Sequence, residues 1–317
     1  MMNILDAESF ELRFQDGRGL LRGKEKAVSV EVMRGSDAAC IASGTDSREL
    51  MRRAGQAIYL LAGWREPVAI VCGKGNNAGD GYVTALYLKE AGIDCTLVLL
   101  DPERFSADGR YYYELCTEQD ISCAVWGKDL SGFDGYNSIL DCLLGTGFHG
   151  TPRGAMADVI GKINEARARG CYVASADINS GLDGDSGEGE LCVLSDLTVS
   201  IGSFKKGHAA ALKSGVIRQC VNADIGIPVL DYYVYLLECA DGSYYCGMTN
   251  DLEKRLRTHN EGRGGHYTAS RRPCVLAYSE YCGSKGDALR REREVKKLSH
   301  AQRAALVTSG AKQGGPG

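Results

Sequence analysis

At 317 residues the chain exceeds the usual size of one domain, and two domains are expected. Its net charge of −4 is uneven: residues 229–317 hold 14 Lys plus Arg against 10 Asp plus Glu (+4), while the first 228 hold 23 against 31 (−8), an acidic body with a basic tail that predicts different partners for the two parts. The 13 cysteines form no C-x-x-C pair, the N-terminus lacks a basic stretch followed by an apolar core, and no run approaches the roughly 18 apolar residues of a span, which argues against a zinc site, a secreted disulfide framework, a signal peptide and a membrane helix and predicts a cytoplasmic protein with reduced thiols.

The segment AVSVEVMRGSDAACIASGTDSRELMRRAGQAIYLLAG reads as two helices, with Leu50, Ala54, Ala57 and Ile58 on a core face. Apolar strand-like runs then recur at Val68 to Val71, Thr96 to Leu100, Ser138 to Leu144, Cys171 to Ala176, Leu197 to Ile201 and Arg218 to Ile225, separated by helix-length segments. This rhythm predicts a mostly parallel sheet covered by helices on both faces, with ligands at the carboxyl ends of the strands.

The loops after those strands carry the chemistry. CGKGNNAGDG opens a helix marked by Val83, Leu86 and Leu88 and stopped by Gly92. Its glycines permit close approach, and the helix N-terminus offers free N–H groups to phosphate or pyrophosphate. Gly73, Gly75 and Ala78, with Asp101 after the next strand, also mimic a dinucleotide fingerprint, which keeps an NAD(P)-dependent dehydrogenase open as an alternative. Asn77, Asp141 and Ser180 place oxygen donors on three loops, a set suited to a hard cation rather than zinc. Each also has a structural reading: helix cap, strand-end tie and turn.

GNNAGDG, DCLLGTG, DINSG and ADIGIP, in that order over residues 27–228, together resemble the NAD(P)H-hydrate epimerase family, the YjeF N-terminal type of domain. The resemblance implies a Rossmann-like α/β domain, a homodimer, interconversion of the R and S forms of hydrated NADH or NADPH, and a bound potassium ion. It carries substrate binding onto Asn76, Asn77, Ala78, Gly79 and Asp80, onto Gly145, Thr146, Gly147, Phe148, His149, Gly150 and Thr151, and onto Asp177; it carries potassium binding onto Asn77, Asp141 and Ser180. The chain departs from the family at Ala78 in place of glycine, at Asn179 in place of proline, and at Arg52 where the residue is often acidic; an exposed helix face would tolerate that reversal. The family's frequent companion, an NAD(P)H-hydrate dehydratase domain, does not follow, so a separate dehydratase partner is expected. A dimeric binding scaffold is the reading from a different class.

Hydration of the nicotinamide ring places a hydroxyl on the carbon bonded to the ring nitrogen, and inverting that centre requires proton transfer. A carboxyl group at that hydroxyl serves as acid and then base; the role is given to Asp177, with Lys205 as electrostatic helper. The alternative for Asp177 is a strand-end carboxylate that binds backbone or ribose.

From Tyr232 the pattern changes to two aromatic and aliphatic strands joined at Asp241-Gly242. A helix capped by Asn250 or Asp251 follows, with Leu252 and Leu256 inward and Arg255 and His259 one turn apart on an adjacent face. A strand over Val275 to Tyr281, a helix over Ala288 to Leu298 and a last helix capped by Ser299 complete the reading. Val234-Tyr235-Leu236, Tyr245-Cys246-Gly247, DLEKRL and ALRREREVKKL resemble the GIY-YIG nuclease family over residues 231–308. That resemblance implies a small α+β domain, catalytic roles for Tyr235, Tyr245, Arg255 and His259, DNA or RNA as substrate, and Mg2+ or Mn2+ on Glu292. A two-residue turn at Asp241-Gly242 would put Tyr235 and Tyr245 on opposite faces, so a shared site requires a bulge or a longer loop. No counterpart appears for the asparagine that many members carry after the metal-binding glutamate. The plan is an extension over 1–26, an epimerase-like domain over 27–228, a GIY-YIG domain over 229–310 and a tail over 311–317.

Overall fold

The computed structural model describes residues 11–21 and 25–309; the expected tail, residue 310 of the expected second domain, and residues 1–10 and 22–24 of the expected extension lie outside them. The chain divides into two units, one running to Pro228 without residues 34–36, the other comprising 34–36 and the residues from Val229 onward.

In the first unit, β1 (Arg13–Asp16) and α1 (Arg18–Leu21) precede β2 (Ala27–Val28), α2 (Val30–Ala42) and α3 (Ser47–Leu61). Ser29 and Asp46 start the two longer helices, their side chains accepting the backbone N–H of Val32 and Arg48. Leu50, Ala54, Ala57 and Ile58 are buried, as their helical spacing predicts. The alternating part follows: β3 (Val68–Cys72), α4 (Asn76–Glu90), β4 (Cys95–Leu99), α5 (Ala107–Glu118), β5 (Ser122–Val125), β6 (Ser138–Cys142), α6 (Ala155–Ala168), β7 (Tyr172–Ala176), β8 (Leu197–Ile201), β9 (Phe204–Lys205), α7 (Lys206–Ser214) and β10 (Cys220–Asp224).

The main sheet has the order β1-β10-β8-β7-β6-β3-β4-β5, and every pairing in it is parallel except β1 with β10. Side chains of β3 alternate between two helical layers. Ala69 and Val71 pack with Val159, Ile160 and Ile163 of α6, whereas a side chain at Gly81 of α4 would meet Ile70 at 3.1 Å on the other face. From β3 the order runs to β4 and β5 in one direction and from β6 to β7, β8 and β10 in the other, so the chain reverses between β3 and β6. A crevice at the strand carboxyl ends is expected there.

The six strands predicted from Val68 to Ile225 appear within one or two residues at each end. Two strands of the main sheet were not predicted, β1 and β5. All four residues of β1 are exposed and β5 is half exposed, so neither strand carries the apolar run by which the others are recognised.

In the second unit, β11 (Tyr232–Cys239), β12 (Tyr244–Thr249), α8 (Leu252–Asn260), α9 (His266–Ala269), β13 (Cys274–Gly283), α10 (Lys285–Lys297) and α11 (His300–Thr308) follow in sequence. Three antiparallel strands are ordered β12-β11-β13. One face packs Val234 and Leu236 against Ala288 and Val295 of α10; the other packs Tyr235 and Leu237 against Leu252 and Leu256 of α8. Asp251 rather than Asn250 caps α8, and Ser299 caps α11.

The hairpin resolves the register problem. Cys239 N–H donates to Ser243 O (2.9 Å) and Gly242 N–H to Cys239 O (2.8 Å), so the loop is Ala240-Asp241-Gly242. Gly242 has φ +73°, the left-handed residue such three-residue loops require. Tyr235 then faces Gly247, and Tyr245, two residues away, shares that face.

Candidate active sites

Four loops meet at the carboxyl ends of the strands in the first unit. At the end of β3, a Cβ on Gly73 would lie 2.0 Å from Leu143 O, so only glycine lets this turn press against the loop after β6. Gly75 is the N-cap of α4 and has no side-chain cap bond, leaving the first N–H groups of a 15-residue helix for a ligand. Asn77 is therefore not the cap. Its Nδ2 instead donates to Leu144 O (2.8 Å), and its buried Oδ1 has no partner among the described residues. Asn76 is exposed and Ala78 buried; Gly79 is closed in by Met51, whose Sδ would lie 2.3 Å from an added Cβ.

Asp141 at the end of β6 is fully buried. It accepts from Ser180 Oγ, Ser180 N–H, Ser175 Oγ and Leu143 N–H, and the Ser180 hydroxyl also accepts Leu144 N–H at 2.9 Å. Burial pushes the Asp141 pKa up and these donors oppose it. The strand-end and turn readings of Asp141 and Ser180 hold, and they place both groups in one hydrogen-bonded cluster with Leu144, to which Asn77 is also tied. The orphaned Asn77 Oδ1 beside an all-oxygen donor set suits a hard monovalent cation.

The segment from Gly145 to Thr151 turns away from β6, with Phe148 N–H donating to Gly145 O (3.1 Å). A Cβ on Gly145 would lie 3.5 Å from Asn77. Thr146 is half-buried, Gly147 is exposed, and Gly150 has φ +96°. His149 lies 3.5 Å from the Asp183 carboxylate, and Thr151 donates to Glu190 (2.8 Å), so the outer end of the segment is tied to the loop after β7.

Asp177 follows β7 with φ +61°, a conformation that costs a non-glycine residue about 1–3 kcal/mol. Its backbone is held on both sides: its N–H donates to Val199 O (2.8 Å) and its carbonyl accepts His208 Nε2–H (2.9 Å). Its carboxylate accepts Ile201 N–H (3.0 Å) and pairs with the buried ammonium of Lys205, which also donates to Ile201 O (2.8 Å). His208, which the sequence reading did not single out, accepts Lys205 N–H at Nδ1 (3.1 Å), fixing the tautomer with its proton on Nε2. Burial, reinforced by Lys205, pushes its pKa down to about 4, so the ring stays neutral. The Asp80 carboxyl in α4 has no hydrogen-bond or ion-pair partner among the described residues; burial first, then the charges of Asp177 and Asp37, holds it well above the usual carboxylate range, with Lys205 opposing. Asp37, also missed, is raised by burial and by Asp177. A carboxyl with that environment leaves no local sequence signature.

Two departures are resolved. Asn179 is buried and satisfied, donating to Val193 O (2.8 Å) and Ser195 Oγ (2.9 Å) and accepting from Thr198. Arg52 is not on an exposed face: it is 4% exposed, forks onto both oxygens of Glu49 (2.7 and 2.8 Å) and reaches Tyr87 Oη at 2.9 Å. Its charge is tolerated because it is paired and hydrogen-bonded, not because it is solvated. Asp101 is engaged locally, accepting Glu103 N–H at 3.3 Å.

In the second unit, Tyr235 is 1% exposed and its Oη accepts Arg255 Nε–H at 3.0 Å and lies 2.9 Å from His259 Nε2. His259 Nδ1 lies 2.7 Å from Thr268 Oγ1, which itself donates to Gly265 O (3.3 Å) and so accepts from Nδ1–H. His259 Nε2 is thus the acceptor for the Tyr235 hydroxyl. Burial, with Arg255 adding, pushes His259 down to about 4, and burial pushes Tyr235 up to about 12 against the opposing effect of Arg255. The Tyr245 ring stands 4.9 Å from His259 and 6.3 Å from Tyr235. Two glycines make the cluster possible: a Cβ on Gly247 would lie 2.4 Å from Tyr235 Oη, and one on Gly264 would lie 2.2 Å from His259 Nδ1. Glu292 lies on α10, largely buried, with Lys296 at 3.0 Å. Among the described residues no group of three or more His, Cys, Asp or Glu is arranged to hold a metal. A lone carboxylate suits Mg2+, which keeps several waters and draws other ligands from phosphate.

A parallel sheet with a glycine-rich turn and a buried carboxylate at its switch point defines a Rossmann-like α/β protein, here followed by a small α+β domain. The chain belongs to the YjeF-related protein N-terminus family, which matches residues 47–207, and carries a GIY-YIG catalytic domain over residues 231–304. It is 31% identical over 239 residues to the bifunctional NAD(P)H-hydrate repair enzyme Nnr of Methanopyrus kandleri, a match that covers 70% of this chain but only 44% of that protein. A UPF0213 protein of Staphylococcus haemolyticus is 46% identical over 76 residues, 24% of this chain and 93% of the relative; one of Halobacterium salinarum is 47% identical over 75 residues, 24% and 97%. The crystal structure of yeast ynu0 shares the fold of the first unit, with TM-score 0.51 and 19% identity over 58% of this chain and 84% of that one. Among the described residues no helix is long and apolar enough to cross a membrane.

Proposed function

We propose that the first unit is an NAD(P)H-hydrate epimerase, an isomerase that interconverts the R and S forms of hydrated NADH and NADPH. The observation that carries this reading is the Asp177–Lys205 ion pair at the strand ends, with the unpartnered carboxyl of Asp80 electrostatically coupled to it. Paired with an ammonium and accepting a backbone N–H, Asp177 enters the reaction as a carboxylate, and Asp80 brings the proton. The C–O bond breaks as the departing hydroxyl takes the Asp80 proton and leaves as water, while the ring nitrogen lone pair forms a C=N bond. Water then adds to the planar cation and gives its proton to Asp177; the two carboxyl groups return to their starting states by exchange with solvent. Lys205 holds Asp177 in place and in charge.

Asn76 to Asp80, the segment Gly145 to Thr151 and Asp177 bind the dinucleotide, its phosphates lying on the free N–H groups of α4. Asn77, Asp141 and Ser180 would hold a potassium ion, whose charge supplies neutralisation of those phosphates. The protein works in the cytoplasm as a homodimer, and a dehydratase completes the repair.

The second unit cuts DNA or RNA. Tyr235 passes its proton to His259 and serves as the base, Arg255 and Tyr245 face the phosphate, and Glu292 would hold Mg2+ or Mn2+, whose charge supplies neutralisation of the phosphoryl oxygens.

The deciding experiment follows R-form hydrated NADH to the S form by chiral-sensitive chromatography, with and without potassium, for the intact protein and Asp177→Ala. Inversion that is faster than the spontaneous rate and lost in the variant supports the reading. No inversion by the intact protein rejects it in favour of a binding scaffold.

A further inference from the structure

Cys239 and Cys274 are directly opposed residues on β11 and β13, and their sulfur atoms lie 3.7 Å apart. The pairing is of the non-hydrogen-bonded kind. Cys239 turns both backbone groups toward the hairpin, donating to Ser243 O and accepting from Gly242 N–H. Cys274 turns both away from β11, its N–H donating to Asn260 Oδ1 (2.8 Å) and its carbonyl accepting Asn260 Nδ2–H (2.9 Å). In such pairs the two Cα atoms approach to about 4.5 Å, within the range of about 4.4–6.8 Å that a disulfide spans. The pair is also not inert filler at a remote point. It packs in one apolar cluster with Tyr235, Leu252 and Leu256, and Asn260 follows His259 directly in α8.

We propose that Cys239 and Cys274 are a redox modification site, converted to a disulfide by a small hydroperoxide, which alters the Tyr235–His259 pair through Asn260. Cys274 reacts first. It lies on an edge strand, between the exposed residues Arg272 and Pro273 on one side and Val275 and Leu276 on the other, so local fraying of that edge brings it to solvent. Its thiolate attacks one oxygen of the peroxide; the O–O bond breaks, giving a sulfenic acid and hydroxide, which takes the thiol proton to form water. The Cys239 sulfur then attacks the sulfenic sulfur, the S–S bond forms, and the hydroxyl leaves as a second water. In total, two thiols and one hydrogen peroxide give one disulfide and two waters. Burial pushes the Cys274 thiol up to about 11, so the thiolate is scarce at neutral pH and the reaction is slow. Closure brings the sulfurs from 3.7 Å to about 2.05 Å, and the two bonds from Cys274 to Asn260 carry that displacement to the last turn of α8.

The bond itself stands whether or not the second unit cuts nucleic acid; only its effect on cleavage rests on that reading. The test treats the full-length protein with hydrogen peroxide, alkylates remaining thiols after denaturation, and digests without reduction. The expected result is a linked peptide pair carrying Cys239 and Cys274, two hydrogens lighter than the separate peptides, that dithiothreitol separates. In Cys239→Ser the link is absent and dimedone traps a sulfenic acid on Cys274. If both thiols are recovered alkylated under conditions that oxidise the exposed Cys123, the site is rejected. A shift of the His259 imidazole NMR resonances on oxidation, absent in Cys239→Ser, is expected independently of any cleavage assay. Unchanged resonances in a protein shown to carry the bond would overturn the coupling to Tyr235.

Discussion

In the mechanism proposed above, Asp80 gives a proton and Asp177 takes one. Asp177→Asn keeps the shape but not the charge, and conversion of hydrated NADH is expected to fall by about 10²–10⁴-fold, the usual contribution of a positioned acid or base; chromatographic rates on the two epimers measure it. Asp80→Asn removes a group with a raised pKa. The stability such a group contributes is present below its unfolded value and lost as pH rises through the folded value. The variant should therefore melt higher than the parent by a margin that grows as pH rises above the ordinary aspartate value of about 3.9, while epimerisation is lost. His208 has the opposite sign. With its pKa lowered to about 4, the unfolded chain binds more protons below about 6.5, so the stability that His208 contributes declines as pH falls across that interval. His208→Ala frees the Asp177 carbonyl and the Lys205 N–H, and is expected to cost about 1–3 kcal/mol by urea denaturation.

At the scale of elements, the three-residue loop between β11 and β12 sets which side chains share the second site. Gly242→Val forces a β-branched side chain into the left-handed conformation that this loop requires, and is expected to lower metal-dependent cleavage of a labelled oligonucleotide by displacing Tyr245 relative to Tyr235. Gly264→Ala should do the same by displacing His259, with the loss of the Tyr235–His259 contact visible in the imidazole resonances. The sequence made the strand-helix alternation legible because buried parallel strands are continuous apolar runs, and β3 is buried at all five positions. It made the loops legible because Gly73 and Asn77 stand at positions where few other residues serve. It did not reveal the loop length at Gly242, since Asp-Gly signals both two- and three-residue hairpins. Nor did it reveal Arg52 as buried, because an arginine is read as solvated until Glu49 and Tyr87 are seen around it. Asp37 and His208 were invisible for a related reason: their roles depend on Asp177 and Lys205, more than a hundred residues away for Asp37, and on loops that only the fold brings together.

For the whole molecule, the two sites draw on separate units with separate cores. Asp177→Ala in the full chain is expected to leave nucleic-acid cleavage within about twofold of the parent, and Tyr235→Phe to leave epimerisation equally unaffected, as mutations with no shared partners generally add. Loss of both activities in either variant would contradict independent sites. The basic balance of the second unit further predicts that its binding to nucleic acid weakens steeply with added salt, whereas epimerisation does not.

The antiparallel strand β1 pairs residue by residue with β10, Arg13 opposite Asp224 and Asp16 opposite Val221. During synthesis β1 emerges before its partner, which follows roughly 200 residues later, a delay of about 10–40 s at ~5–20 residues per second. For that interval the segment is a tethered single strand beside a sheet that lacks its last member, exposed to chaperones and to other ribosome products. The closing of this sheet is therefore timed by translation, and slowing elongation across the intervening residues lengthens the window in which the protein is vulnerable.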